Sequence, residues 1–196
     1  VYNADEIRRI ENTVEQSSAV GKRDYAMLLL ATRLGLRSSD IAGLTFGNLD
    51  WGHNLISLVQ CKTKKIIELP LLADVGEAII NYLKCGRPIS DLQQVFLTAS
   101  APYRPVNSML ISGAVSRTII ASGRKFGPHA MRHTLASQLL RNGTSLPVIS
   151  ETLGHSDTQA TMNYLRIDIN SLMQCALDVP LIPINFYEQK GGVFYG

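Results

Sequence analysis

Apolar residues recur at Ile7, Ile10 and Val14, a spacing that lays one stripe along a helix. Asn3 and Glu6 stand ahead of it with the spacing of an N-cap and its capping-box partner. After the polar run SSAVG, a second helix is predicted from Lys22 to about Leu34. It is apolar on most sides between Ala26 and Ala31, which marks a helix central in a core. Gly35 fits the position just past its end. Ser38 or Ser39 can then open a short helix leading through Ile41 and Leu44.

The period changes next. Leu55–Gln60 and Ile66–Leu69 are rich in branched residues, and Pro70 stops the second run. Between them lies a cationic turn with Lys62, Thr63 and Lys64, so two short strands in a hairpin are predicted. Helix returns from about Ala73 to Lys84 with Val75, Ile79, Ile80 and Leu83 inward, and Cys85-Gly86 ends it. Residues Arg87 to Pro105 read as a loop with one apolar piece, Val95 to Leu97. Pro105 is expected to open a helix reaching Ala121, and Pro128 another reaching Leu140, closed by Asn142-Gly143. Pro147 begins a short helix through Leu153, and Ser156 with Gln159 caps a further helix holding Tyr164. After Asp178 the chain becomes irregular, PLIPINFYEQKGGVFYG. The pattern predicts one mostly α domain with a small antiparallel β-sheet, an α+β fold, over residues 1–178. An apolar tail follows over 179–196.

Composition narrows the picture only a little. The chain has 196 residues, 45% hydrophobic and 18% charged, as a folded domain of one sizeable core requires. No uninterrupted apolar run is long enough to span a membrane, and the first residues lack the basic-then-apolar order of a secretory signal. Cys61, Cys85 and Cys175 are too scattered for a disulfide framework or a zinc signature, which favours a reducing, cytoplasmic setting. The net charge of +3 permits a nucleic-acid partner without demanding one. Lys62, Lys64 and Lys65 bunch together, as do Arg124 and Lys125, and both groups are candidate phosphate contacts or simply solvated turns.

The chemistry lies in four segments: LGLRSSDIAGL, QCKTKKIIELPL, GPHAMRHTLASQLL and ETLGHSDTQATMNYLRI. They hold Arg37, Lys62, His129, Arg132, His155 and Tyr164. Three cations, two imidazoles and a phenol suit a phosphodiester. Cations hold anionic oxygens, imidazoles share protons, and a phenol can attack phosphorus. His129 and Arg132 share a helix face near its N-terminus, where backbone N–H groups also favour an anion. Each residue has a bland alternative: a surface His–Arg pair, a core tyrosine, an Arg37–Asp40 tie between turns, an exposed hairpin lysine. Their joint occurrence weakens those alternatives.

The ordered set resembles the catalytic domain of the tyrosine recombinases, the phage integrase family, over roughly residues 3 to 177. The matching pieces are LGLR with Asp40, the lysine hairpin before LPL, His129-x-x-Arg132-His133-Thr134, LGH ending at His155, and Tyr164 nine residues on. The resemblance implies the fold of DNA breaking-rejoining enzymes. It also implies a site-specific recombinase that cleaves and rejoins double-stranded DNA through a covalent 3′-phosphotyrosyl link on Tyr164. Arg37 and Arg132 would grip the non-bridging oxygens, and His129 would assist proton movement at the tyrosine. Lys62 would protonate the leaving 5′-oxygen, His155 would hydrogen-bond the phosphate, and Asp40 would brace the site. Counting back from Pro70 selects Lys62, and a shift of register in the hairpin would select Lys64.

No cofactor and no metal are implied. The implied partners are duplex DNA, further copies of the chain in a tetramer on synapsed DNA (a monomer when isolated), and DNA-bending accessory proteins. The family's separate N-terminal DNA-clamping domain has no counterpart here, as in an excised catalytic domain. The longer tail favours an integrase of a mobile element. The alternatives are a chromosome-dimer resolving enzyme, a type IB topoisomerase relative, and an accessory protein that binds DNA without cleaving it. The tail is either an element exchanged between subunits or a local cover on the core.

Overall fold

A computed structural model describes residues 2–123 and 129–154. Along these residues run α1 (Ala4–Asn12), α2 (Ala19–Arg33), α3 (Ser38–Ala42), β1 (Leu49–Asp50), β2 (Leu55–Val59), β3 (Ile66–Pro70), α4 (Ala73–Cys85), α5 (Ser108–Ala121), α6 (His129–Arg141) and α7 (Leu146–Leu153). The expected mostly helical architecture with a small antiparallel sheet is what the chain forms.

Helix α1 begins as its sequence requires. The Asn3 side chain accepts the Glu6 N–H at 2.8 Å, and the Glu6 carboxylate accepts the Asn3 N–H at 2.8 Å. Helix α2 is the centre of the molecule: Ala26 through Ala31 are all buried, with α4, α5 and α6 packed around it. Burying each leucine of that run contributes about 1.5–3 kcal/mol. The helix starts at Ala19, earlier than the expected Lys22, because the Ser18 hydroxyl accepts the Gly21 N–H at 2.9 Å. Gly21 tolerates this first turn because a side chain there would strike the Glu15 carbonyl. The buried Glu11 carboxylate fastens α1 to α2, accepting from the Thr32 hydroxyl at 2.8 Å and the Arg33 guanidinium at 2.7 Å.

The sheet has three strands in the order β1-β2-β3, all antiparallel, where the sequence suggested two. The added strand is only Leu49–Asp50, too short to show a period. In the hairpin, Ile56 faces Leu69 and Leu58 faces Ile67, and these four side chains are buried. The turn between β2 and β3 closes through Gln60 N–H to the Lys65 carbonyl at 2.9 Å and Lys64 N–H to the Gln60 carbonyl at 3.0 Å. Lys64 adopts the left-handed conformation, φ 57°.

Two further expectations are corrected. Helix α5 starts at Ser108, capped by Asn107, whose side chain accepts the Leu110 N–H at 2.8 Å. Pro105 instead pairs across an isolated antiparallel bridge with Leu97. Ile80, expected inward, is exposed on α4. The core divides unequally. One large cluster runs from Tyr2 to Met131, and a small one holds Ala136, Ile149 and Leu153 with Leu135, Leu139 and Leu140 packed against it. Helix α6 thus has its first turn in one cluster and the rest in the other.

Candidate active site

A cleft of about 460 Å³ opens where α2 ends, lined by Arg37, Ser38, Ser39, Lys62, Ser108, Ser112, His129 and Arg132 among others. Four of the six residues singled out in the sequence therefore meet in one place. They come from the α2–α3 turn, the β2–β3 turn and the first turn of α6. His155 and Tyr164 lie outside the described residues, as do Arg124, Lys125 and the tail after Asp178.

The turn that presents Arg37 depends on Gly35. Its φ is +62°, and a Cβ there would lie 2.8 Å from a Leu135 methyl and 3.1 Å from one of Leu153. Glycine meets both demands, the left-handed backbone and the close approach. Arg37 then stands at the start of α3, three residues before Asp40. Asp40 is 3% exposed. Its Oδ1 accepts the Cys61 N–H at 2.8 Å, and its Oδ2 faces the Arg37 guanidinium at 3.9 Å. That Oδ2 has no hydrogen bond among the described residues, so the nearby cation offsets the cost of burying the carboxylate. Asp40 thus braces Arg37 and the root of the lysine turn together.

Arg132 is not the surface residue that the bland reading allowed, being 8% exposed. Its Nη1 donates to the Gly35 carbonyl at 2.7 Å, and its Nη2 donates to the Leu153 carbonyl. Two of the five N–H groups are thereby committed to backbone, which fixes the plane of the guanidinium. His129, one turn earlier on the same face, is exposed at the cleft. His133 beside them is held below the ordinary histidine value of 6.5, chiefly by burial and then by His129 and Arg132.

Lys62 is exposed at the tip of the hairpin and lines the cleft. Lys64 and Lys65 line a different and larger groove, about 710 Å³, between the hairpin and α7. That groove holds Ile66, Ile67, Pro147, Ser150 and Glu151, with no arginine or imidazole, so its size does not make it the chemical site. The Cys61 thiol next to Lys62 is raised by burial and then by the Asp40 charge, so it stays protonated and donates to the Ser39 carbonyl at 3.4 Å.

A buried glutamine beside the cleft escaped the sequence reading. Gln60 is 0% exposed and joins the Arg37 turn, its own hairpin turn and the end of α7. Its Oε1 accepts from Arg37 Nη1 at 2.8 Å and from the Thr63 hydroxyl at 2.7 Å, and its Nε2 donates to the Leu153 carbonyl at 3.0 Å. Gly154, φ +60°, lies flat against it, leaving no room for a side chain. A signal existed: Ile56, Leu58 and Gln60 share the inward phase of β2, and a polar residue in that phase needs partners. The four serines of the cleft were missed as well, having no periodic signature.

The profile of the phage integrase family matches residues 1–170. Two proteins of Sinorhizobium fredii named as integrase/recombinase are similar. The y4rA protein is 39% identical over 181 residues, covering 90% of this chain and 44% of y4rA. The y4gC protein is 37% identical over 164 residues, covering 82% of this chain and 84% of y4gC. The chain thus spans less than half the length of y4rA. Among solved structures, a XerH site-specific recombinase in a post-cleavage complex with palindromic difH aligns with a TM-score of 0.75 at 19% identity. That alignment covers 89% of this chain and 51% of XerH. The fold is that of the tyrosine recombinase catalytic domain. With a profile match over most of its length and relatives near 40% identity, the chain belongs to the phage integrase family.

Proposed function

We propose that this chain is the catalytic part of a site-specific DNA recombinase, an integrase of a mobile element, acting through a 3′-phosphotyrosyl intermediate on Tyr164. The observation that supports it best is the gathering of Arg37, Lys62, His129 and Arg132 around one cleft from segments far apart in sequence. In this reading Arg37 and Arg132 bind the non-bridging oxygens of the scissile phosphate and stabilise the charge that builds up in the transition state. Losing one such donor costs about 3 kcal/mol, or roughly a hundredfold in rate. His129 handles the tyrosine proton and Lys62 protonates the departing 5′-oxygen. His155, directly after Gly154, hydrogen-bonds the phosphate. The covalent link conserves the energy of the phosphodiester, so no nucleotide cofactor enters. The partner is duplex DNA, and the assembly on synapsed DNA is a homotetramer. Support for DNA as substrate comes from the XerH, Tn1549 integrase and lambda integrase neighbours, each solved on DNA.

The mobile-element reading is favoured by the two integrase/recombinase relatives at 39% and 37% identity over a XerC of Thermodesulfovibrio yellowstonii at 32%. Chromosome-dimer resolution is the second reading, carried by that XerC likeness. The test of the chemistry is a covalent-adduct assay. The chain is incubated with a pool of nicked random-sequence duplexes, and SDS-resistant complexes are recovered and sequenced. Wild type should yield adducts and Tyr164→Phe none, because phenylalanine removes only the attacking oxygen. Adducts that persist in Tyr164→Phe and vanish in Tyr187→Phe would defeat the assignment. Pairing of the recovered sites then separates the two readings: an integrase joins two unlike sites, whereas a resolving enzyme joins two copies of one site.

A further inference from the structure

Arg37 and Arg132 are held in a closed loop of bonds. The Arg37 side chain donates to Gln60 at 2.8 Å, and Gln60 donates to the Leu153 carbonyl at 3.0 Å. That carbonyl also accepts from Arg132, and Arg132 donates to the Gly35 carbonyl at 2.7 Å. Gly35 leads through Leu36 back to Arg37 in the chain. One buried amide and the Leu153 carbonyl together therefore link the two guanidinium groups. Only one orientation of that amide fits: its oxygen faces two donors and its nitrogen faces a carbonyl, while the flipped form would set NH₂ against the guanidinium. Burial makes the link costly to break, because an amide sealed from water has no alternative partner.

We propose that Gln60 is a positioning residue for the phosphate grip, setting Arg37 against Arg132 so that both cations meet one phosphate at a fixed spacing. The proposal rests on the reading of those arginines as phosphate ligands. Gln60 does not touch the substrate. It acts through Arg37 directly and through the carbonyl it shares with Arg132. Because Leu153 is followed by Gly154 and His155, the same amide also ties the end of α7 to the grip. In Gln60→Met the volume is kept, the Leu153 carbonyl still has Arg132, and the Thr63 hydroxyl, only half-buried, can turn to water. Arg37 loses its nearest fixed acceptor and is left with Asp40 at 3.9 Å.

Single-turnover cleavage on a duplex recovered in the adduct assay tests this. Gln60→Met should slow cleavage by roughly a hundredfold, the effect of misplacing a catalytic group by about an ångström. The same slowing should appear on a duplex whose 5′ leaving oxygen is replaced by sulfur, a substrate that should restore Lys62→Ala. In an Arg37→Ala background, adding Gln60→Met should change the rate by less than about threefold, since the two act as one unit. Gln60→Glu keeps the acceptor facing Arg37 and should cleave faster than Gln60→Met. If Gln60→Met fails to fold in a thermal melt, the Glu variant decides alone: a rate as low as that of Arg37→Ala overturns the proposal. It is also overturned by a wild-type rate in Gln60→Met, by effects that multiply in full with Arg37→Ala, or by rescue with sulfur, which would route Gln60 through Lys62. Should neither Arg37→Ala nor Lys62→Ala slow cleavage, the reading of the site falls and takes the proposal with it. Should both slow it while Gln60→Met does not, only the proposal falls.

Discussion

At the scale of the residue, the site depends as much on glycines and carbonyls as on charges. Gly35 is the clearest case. Gly35→Ala forces a side chain into the left-handed region, at about 1–2 kcal/mol, and drives its Cβ to 2.8 Å from Leu135. A lowered Tm should follow, with cleavage falling further than stability alone explains, because the Gly35 carbonyl orients Arg132. Thermal melts paired with single-turnover rates would check both. His133 makes a pH prediction. Its folded-state value lies below the ordinary 6.5, so between the two values the unfolded chain binds more protons. Its contribution to stability is whole above pH 6.5 and declines as the pH falls through the lowered folded-state value. Tm measured from pH 7.5 down to 5 should drop, and the drop should be shallower in His133→Gln. A steeper slope in that variant would show that another group dominates.

At the scale of the element, the β2–β3 turn sorts its lysines by conformation. Lys64 sits at φ 57° and borders the outer groove, whereas Lys62 borders the cleft. Lys62→Ala should therefore slow cleavage by about two orders of magnitude, as expected for lost general-acid assistance. Lys64→Ala should leave the rate within a few-fold of wild type, and Lys64→Gly should modestly raise Tm by relieving the left-handed backbone. Single-turnover rates with the larger defect at Lys64 would reverse the assignment. Much of this element was legible beforehand. The branched runs, Pro70 and the intervening cations define a hairpin from local pattern alone. So do the α1 capping box and the Gly35 stop, where the determining atoms lie within a few residues of each other. Legibility ended where a partner was distant. Leu97 held Pro105 in a bridge rather than a helix. Gln60 acquired its role from Arg37 and Leu153, which the sequence separates widely.

At the scale of the whole molecule, the proposed reading has a +3 chain meet DNA through Arg37, Lys62 and neighbouring lysines, so it should bind mainly phosphates. Affinity for duplex DNA should then fall steeply, log against log, as salt rises, with little preference among sequences. Fluorescence anisotropy across a salt series would reveal it, and binding indifferent to salt would point to base readout instead. The two unequal cores have a more pointed consequence. Arg37 and Asp40 stand next to Leu36 and Ile41 of the large cluster, while the Leu153 carbonyl hangs from the small one under α6 and α7. Among the described residues few apolar side chains seal that second cluster, so it should open by itself while α2 remains folded. Amide hydrogen exchange should report this as two classes. The amides of α7 should exchange roughly a hundredfold faster than those of Met27–Leu30, and equal protection would mean one cooperative unit. In the open form Arg132 and Gln60 would lose the same carbonyl at once. In the proposed reading the phosphate grip would thus be a latch whose keeper is mounted on the smaller core, so opening of that core would disarm the site before the chain denatures.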